Sequence, residues 1–299
     1  MKTKLKLFQL SLFGVLLLAA CKGSNGKYDA SGTFEATEVI VSSEAMGKLM
    51  QFNVQEGDKL SVNQTVGYVD SLQLYYKEKQ LLASVKSLQS TRPDINKQIA
   101  ATQQQIATAL TEKARIEKLL KANAANQKQL DDQNSLLAVL GKQLDAQKST
   151  LQNTDQSLTD QSSSLAYQID QLKDQLAKCK IINPIAGTVL TKYTEAGEVT
   201  ALGKALYKIA DIDNMFLRAY ITNDQLSKVK IGQQVKVYAD FGSGSKAYQG
   251  TVSWISDKAE FTPKTIQTRD ERTNLVYAMK IAVKNDGYIK IGMYGDVTF

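Results

Sequence analysis

The chain of 299 residues contains no histidine. That removes the side chain that titrates near neutral pH, and with it Ser-His-Asp and Cys-His triads and every histidine-containing zinc site. Two cysteines remain, Cys21 and Cys179. Glu260, Asp270 and Glu271 stand near Arg269 and Arg272. Acid–base catalysis would need a buried carboxylate pair in a cleft; this stretch reads instead as a solvated loop with salt bridges. The formal charge is +7, and three of the lysines, Lys2, Lys4 and Lys6, precede an apolar run. What is left is mildly basic, compatible with work near an anionic membrane. No tight cluster of Arg and Lys interleaved with aromatics is present, so nucleic acid is not indicated. The chemistry-bearing residues therefore point away from an enzyme, and the function has to be sought in the architecture.

The apolar run spans Leu7 to Ala20 and is broken by Gln9, Ser11 and Gly14. It is too short for a comfortable membrane span and reads as the core of a secretory signal, residues 1–20. It ends in Leu18-Ala19-Ala20-Cys21, which resembles the bacterial lipobox. The resemblance implies that Cys21 is acylated and becomes the first mature residue. Residues 21–32 are then a polar, glycine-rich tether. With Cys21 lipidated, Cys179 has no disulfide partner and the fold must rest on packing.

Two stretches 140 positions apart match without a gap. Gly47-Lys48-Leu49 corresponds to Gly187-Thr188-Val189, and Glu56-Gly57-Asp58 to Ala196-Gly197-Glu198. Val62, Val66 and Val69 correspond to Leu202, Leu206 and Ile209. Each copy alternates around a glycine turn, a strand–turn–strand signal. Neither can bury a core alone, so the two are expected to pack face to face. The pattern resembles the two halves of a biotinyl/lipoyl-type domain, with Asn183-Pro184-Ile185-Ala186-Gly187 the closest match. Glu44-Ala45-Met46 is similar to a biotin-attachment motif, but Gly47 stands where the lysine would be, so no attached cofactor is expected.

Between the copies lies a long helical insertion, residues 72–180. Leucines recur at 130, 137, 144, 151, 158, 165 and 172. The first arm carries Leu74, Leu81, Leu88 and Ile95 at the same spacing, weakened at Thr102 and Ala109 before Ile116. A sustained heptad predicts a coiled coil. Gln147, Thr154 and Gln161 are expected on its second seam. Ala122 to Asn126 is the turn, and arms of about 50 residues reach roughly 75 Å at 1.5 Å per residue. Nearly equal arms joined by a short turn predict an antiparallel hairpin. Pro93 lacks an N–H, so a break is expected near Ser90–Arg92, with the helix restarting around Pro93.

The segment from Arg115 to Asp131 resembles the hairpin tip of periplasmic adaptors, the membrane fusion proteins. In that family an Arg, a Leu four residues on and a Ser seven further on contact an outer-membrane exit duct. Arg115 and Leu119 match, and Asn126 replaces the Ser. Asn keeps the hydrogen-bonding capacity and suits a helix N-cap equally well. On residues alone, Leu119 closing the hairpin end and Arg115 a solvated charge is the alternative.

From Met215 the pattern turns to short alternating runs: Phe216–Ile221, Gln234–Tyr238, Tyr248–Ile255 and Val276–Val283, with a short capped helix at Asn223–Leu226. A small β-barrel is expected. The stretch Ala259–Tyr277 resembles the barrel segment of adaptors paired with ABC-type exporters, and Lys290-Ile291-Gly292-Met293 resembles the family's closing strand. The end at Phe299 leaves little room for a membrane-proximal domain, which favours an ABC-type partner over a proton-driven pump.

The expected fold class is α+β: a split lipoyl-like domain (33–71 and 181–213), the inserted hairpin (72–180) and a β-barrel (214–299). The resemblance is closest to lipoprotein adaptors of ABC-type efflux pumps, within the haemolysin-secretion type. It implies a lipid-anchored periplasmic protein, set on the inner membrane, that forms a homo-oligomeric ring. Its partners would be an inner-membrane transporter and an outer-membrane duct, and its task small-molecule or drug efflux. No cofactor and no metal are implied. A proton-driven pump adaptor, a polypeptide-secretion adaptor and a lipid-anchored spacer remain as alternatives.

Overall fold

The computed structural model describes residues 28–242, 244–261 and 275–299. Cys21, the signal, most of the tether and the cluster Arg269, Asp270, Glu271 and Arg272 lie outside the described residues.

The two repeats form strands with the same 140-residue offset. The first contributes β2 (Gly47–Phe52), β3 (Lys59–Leu60) and β4 (Thr65–Val69); the second contributes β6 (Gly187–Lys192), β7 (Val199–Thr200) and the start of β8 (Ala205–Thr222). The strands cross between copies: β2 pairs with β7 and β3 with β6. Hydrogen bonds obey the same internal two-fold. The Gly57 N–H donates to the Val189 carbonyl (2.9 Å), and the Gly197 N–H to the Leu49 carbonyl (2.7 Å). Both glycines hold the positive φ their turns require, +91° and +94°. The resulting core joins Leu49, Val54, Val66 and Val69 to Val189, Leu206 and Ile209. Asn183, fully buried, ties the copies together: its Nδ2 donates to the Ser61 carbonyl (2.9 Å) and its Oδ1 accepts from the Tyr207 hydroxyl (3.0 Å).

Three helices make the insertion: α1 (Leu72–Ser90), α2 (Ile95–Lys121) and α3 (Gln127–Lys178). Cross-helix bonds pair Gln133 with Ala109, Gln147 with Gln98 and Arg92 with Asp155. Residue numbers fall on one helix as they rise on the other, so α3 runs antiparallel to both α1 and α2. Ile99, Ala109, Ile169 and Leu172 are buried between them.

Two expectations for this seam need correction. Thr102 and Ala109 are not weak points but are 6% and 5% exposed. Small side chains bring the helices close, and Thr102 Oγ1 donates to Gln147 Oε1 (3.0 Å). Thr154 and Gln161 are exposed, and Asp155 and Ser162 take their places facing α1. A 3.6-residue helix drifts against a seven-residue repeat, so a strict count of sevens misplaces residues here.

The barrel closes through six antiparallel strands. These are β8, β12 (Leu275–Lys284), β10 (Ser245–Ile255), β9 (Gln234–Asp240), β13 (Tyr294–Thr298) and β1 (Ala30–Ser42), with β1 returning to β8. Phe34, Leu217, Ile221, Val237, Ile281 and Val297 fill it. A short helix, α4 (Asn223–Leu226), follows β8. Residues 30–36 were expected in the tether and the first lipoyl-like half. They are instead a barrel strand, with Ala30 and Phe34 turned into its core. Thereafter β1 runs on along β8 into the split domain, so two long paired strands join the two β units. Lys290–Met293 is not the closing strand: Gly292 turns there with φ +84°, and β13 starts at Tyr294.

Candidate functional site

The tip is built almost entirely by backbone. After α2 ends at Lys121, Asn123 takes a left-handed φ of +55°. The Ala124 N–H then donates to the Leu119 carbonyl (2.8 Å), and the Asn123 N–H to the Leu120 carbonyl (3.0 Å). This is a Schellman ending, with Asn in the position usually held by glycine. Asn126 opens α3 with a reciprocal cap. The Gln129 N–H donates to Asn126 Oδ1 (3.0 Å), and the Asn126 N–H donates to Gln129 Oε1 (3.2 Å). Both helix ends are thus satisfied within six residues, 121 to 126, and the turn needs no partner to hold its shape.

That arrangement decides what the side chains are free to do. The seam of α2 ends with Ile116 and Leu120, both half-buried. Leu119 lies off this seam and is 39% exposed. It is therefore not the residue that closes the hairpin. Arg115 lies one turn before it on the same helix, a spacing that makes the two side chains neighbours. The Arg115 guanidinium donates to Glu112 Oε1 (2.7 Å), but the side chain is 70% exposed. An ion pair this open contributes about 0–1 kcal/mol and is readily exchanged for another partner. Asn126 is exposed and commits its Oδ1 to the cap. So Arg115, Leu119 and Asn126 all sit at the tip, two on α2 and one at the start of α3. Glu112 and the left-handed Asn123 were missed in the sequence; Asn123 was legible, because Asn is the usual substitute for glycine at a helix end.

Elsewhere the described residues offer little chemistry. Cys179 caps α3 and is buried, with its thiol on the Gln175 carbonyl (3.3 Å). Burial pushes its pKa up, and the Asp70 charge adds to this. Such a thiol is a poor nucleophile. Among the described residues no group of His, Cys, Asp and Glu could hold a metal, and no helix is long and apolar enough to cross a membrane. Glu260 pairs with Arg218 across the barrel surface at 3.3 Å. An open apolar groove of about 740 Å³ lies between α2 and α3, lined by Ala101, Ala109, Leu136 and Leu140 among others.

Comparison with solved structures matches this architecture. MacA from Actinobacillus actinomycetemcomitans superposes with a TM-score of 0.55 at 20% identity, over 90% of this chain and 76% of that one. The membrane fusion protein Spr0693 from Streptococcus pneumoniae R6 gives 0.54 at 18% identity, over 90% of this chain and 96% of its own. The fold is that of membrane fusion proteins. A MacA chimera carrying the MexA α-hairpin of Pseudomonas aeruginosa gives 0.52 at 20% identity, over 90% of this chain and 78% of that one.

In sequence, the chain is 36% identical over 120 residues to a UPF0194 membrane protein of Yersinia pseudotuberculosis strain YPIII. The match takes in 40% of this chain and 36% of that relative's length. A UPF0194 membrane protein of Citrobacter koseri matches to the same extent. No protein-family model matches the chain.

Proposed function

We propose that the chain is a periplasmic adaptor that bridges an inner-membrane transporter to an outer-membrane exit duct. The β domains would gather at the transporter, and the hairpin would carry the tip to the duct. In this reading the split domain is lipoyl-like without an attached cofactor, and the hairpin is an antiparallel coiled coil. The observation that carries the proposal is Leu119. It is an apolar side chain left off the seam and exposed at a tip whose backbone is already closed. Leu119 would supply the apolar contact and Arg115 a multiply donating charged anchor. Asn126 would hold the turn that presents them.

The finer parts belong to the same proposal. Cys21 would carry the lipid, the inner membrane would be the anchoring surface, and the transporter would be of the ABC type. Several copies would form a ring, with hairpins side by side and the groove between α2 and α3 facing a neighbour. The chain would act mechanically, lining and coupling a passage for small molecules, and would not be an enzyme. Leu119→Asp together with Arg115→Ala, which leaves the turn and both helix caps in place, tests the reading. Export should be lost while the helical circular dichroism and thermal unfolding of the purified chain stay near those of the parent. Normal export by this variant would sink it.

A further inference from the structure

The hairpin is not uniformly built along its length. One arm is interrupted between α1 and α2, and α3 alone crosses that level as an unbroken helix of 52 residues. The interruption is fully specified by local bonds. The Ser90 and Thr91 hydroxyls donate back to the Ser87 and Leu88 carbonyls (2.7 and 2.8 Å). Pro93 has no N–H to give, and Asp94 Oδ1 accepts from the Lys97 N–H (3.2 Å) to start α2 afresh.

The seam changes at the same level. Facing residues of α3 step by threes and fours from Leu130 to Leu176, but Gln147, Leu151 and Asp155 follow one another by two steps of four. Such a stutter unwinds the pairing of two helices locally. Opposite it, spacing from Leu88 and Ile95 puts Arg92 where the next apolar seam residue is due. The layer is therefore polar. Arg92 donates from Nε to Asp155 Oδ1 (2.9 Å), and from Nη2 to Asp155 Oδ2 (3.1 Å) and Thr159 Oγ1 (2.9 Å). Beside it is a partly open cleft of about 100 Å³, lined by Leu88, Arg92, Leu158, Thr159 and Ser162 among others.

We infer that residues 91–94 with Asp155 and Thr159 form a joint in the hairpin, latched by the Arg92 guanidinium. Bending here breaks no helical hydrogen bond of α1 or α2 and opens no apolar layer. It only releases the Arg92 fork and flexes α3. On the distal side Ile99 and Ala109 of α2 are buried against α3, and on the proximal side Ile169 and Leu172 of α3 are buried against α1, so packing resists bending on either side of the joint. The joint lets the distal half, with its tip, change direction relative to the β domains.

The test needs no partner, so it fails or succeeds independently of the docking proposal. In the full chain carrying Cys21→Ser and Cys179→Ala, nitroxide labels at Lys77→Cys and Lys118→Cys span the joint. Labels at Lys97→Cys and Lys118→Cys lie on one side of it. Dipolar spectroscopy should give a broader distance distribution for the spanning pair. Arg92→Ala should widen it further, roughly two-fold, as expected on freeing a hinge, and leave the one-sided pair unchanged. Arg92→Leu with Asp155→Leu, which restores an apolar layer, should narrow it. A spanning distribution as narrow as the one-sided one, unmoved by Arg92→Ala in a chain of unchanged helicity, would mean a seam adjustment only and overturn the joint.

Discussion

Asn183→Ala should be among the most damaging substitutions in the split β domain, and its cost can be worked from the contacts. The side chain is fully buried. It donates to the carbonyls of Ser61 and Ile185 and accepts from the Tyr207 hydroxyl. Truncation leaves the buried Tyr207 hydroxyl without a partner and takes a donor from the part-buried carbonyls of Ser61 and Ile185, the former keeping the Gln64 N–H (3.3 Å). A neutral hydrogen bond contributes about 1 kcal/mol net, and each buried group left unmet costs about 1–3 kcal/mol, so the loss should be about 3–5 kcal/mol. Tyr207→Phe removes only one of these bonds and should cost about 1–2 kcal/mol. The double substitution should then cost less than the sum of the two, because Tyr207 has already lost its partner in Asn183→Ala. Urea unfolding followed by circular dichroism measures all three. A loss below about 1 kcal/mol for Asn183→Ala, with fully additive effects, would refute the assignment of Asn183 as the tie between the repeats.

Further outcomes follow from the same packing. Thr200 is 1% exposed and its Oγ1 has no partner among the described residues, while Leu60 holds the equivalent place in the first repeat. Thr200→Val should therefore raise stability by about 1 kcal/mol, read as a higher urea midpoint. Burial pushes the Tyr207 pKa up to about 12, above its unfolded value near 10. Its contribution is complete below about pH 10 and is lost as pH rises through the folded value. Parent stability should fall more steeply over that alkaline window than that of Tyr207→Phe; equal slopes would contradict the burial argument. At the tip, Asn123→Gly should keep the turn. Asn123→Val, forced to a positive φ, should cost about 1–2 kcal/mol locally and strip hydrogen-exchange protection from the Ala124 amide.

Much of the architecture was legible because it repeats. The offset of 140 positions survives in strand starts, glycine turns and hydrogen bonds, since paired copies must share one backbone geometry. The leucine heptad and Pro93 placed the helices and their break for equally local reasons. What escaped the sequence was non-local. Residues 30–36 show only Ala30, Phe34 and Ala36 as inward apolar side chains, two of them small and too few to announce a strand, and the barrel recruits them through β8 and β13. Asp211 to Asn214 looked like a boundary, yet β8 continues through it with a register shift opposite Ala36 and Thr37. Thr102 and Ala109 looked like gaps in a heptad, because their value lies in close approach to Gln147 and Gln133 on the other arm. At the tip, residue identity pointed to Arg115, Leu119 and Asn126. That Leu119 stands off the seam emerged only with the helix phase.

The adaptor proposal is tested most directly by crosslinking in living cells from photoreactive residues at positions 115, 119 and 126, with the captured proteins identified. The account predicts capture of an outer-membrane duct protein from the tip, and none from a control position on the barrel such as Lys246. Capture of nothing from all three tip positions, in cells shown to be exporting, would contradict it and leave the hairpin a spacer with a plain helical turn at its end.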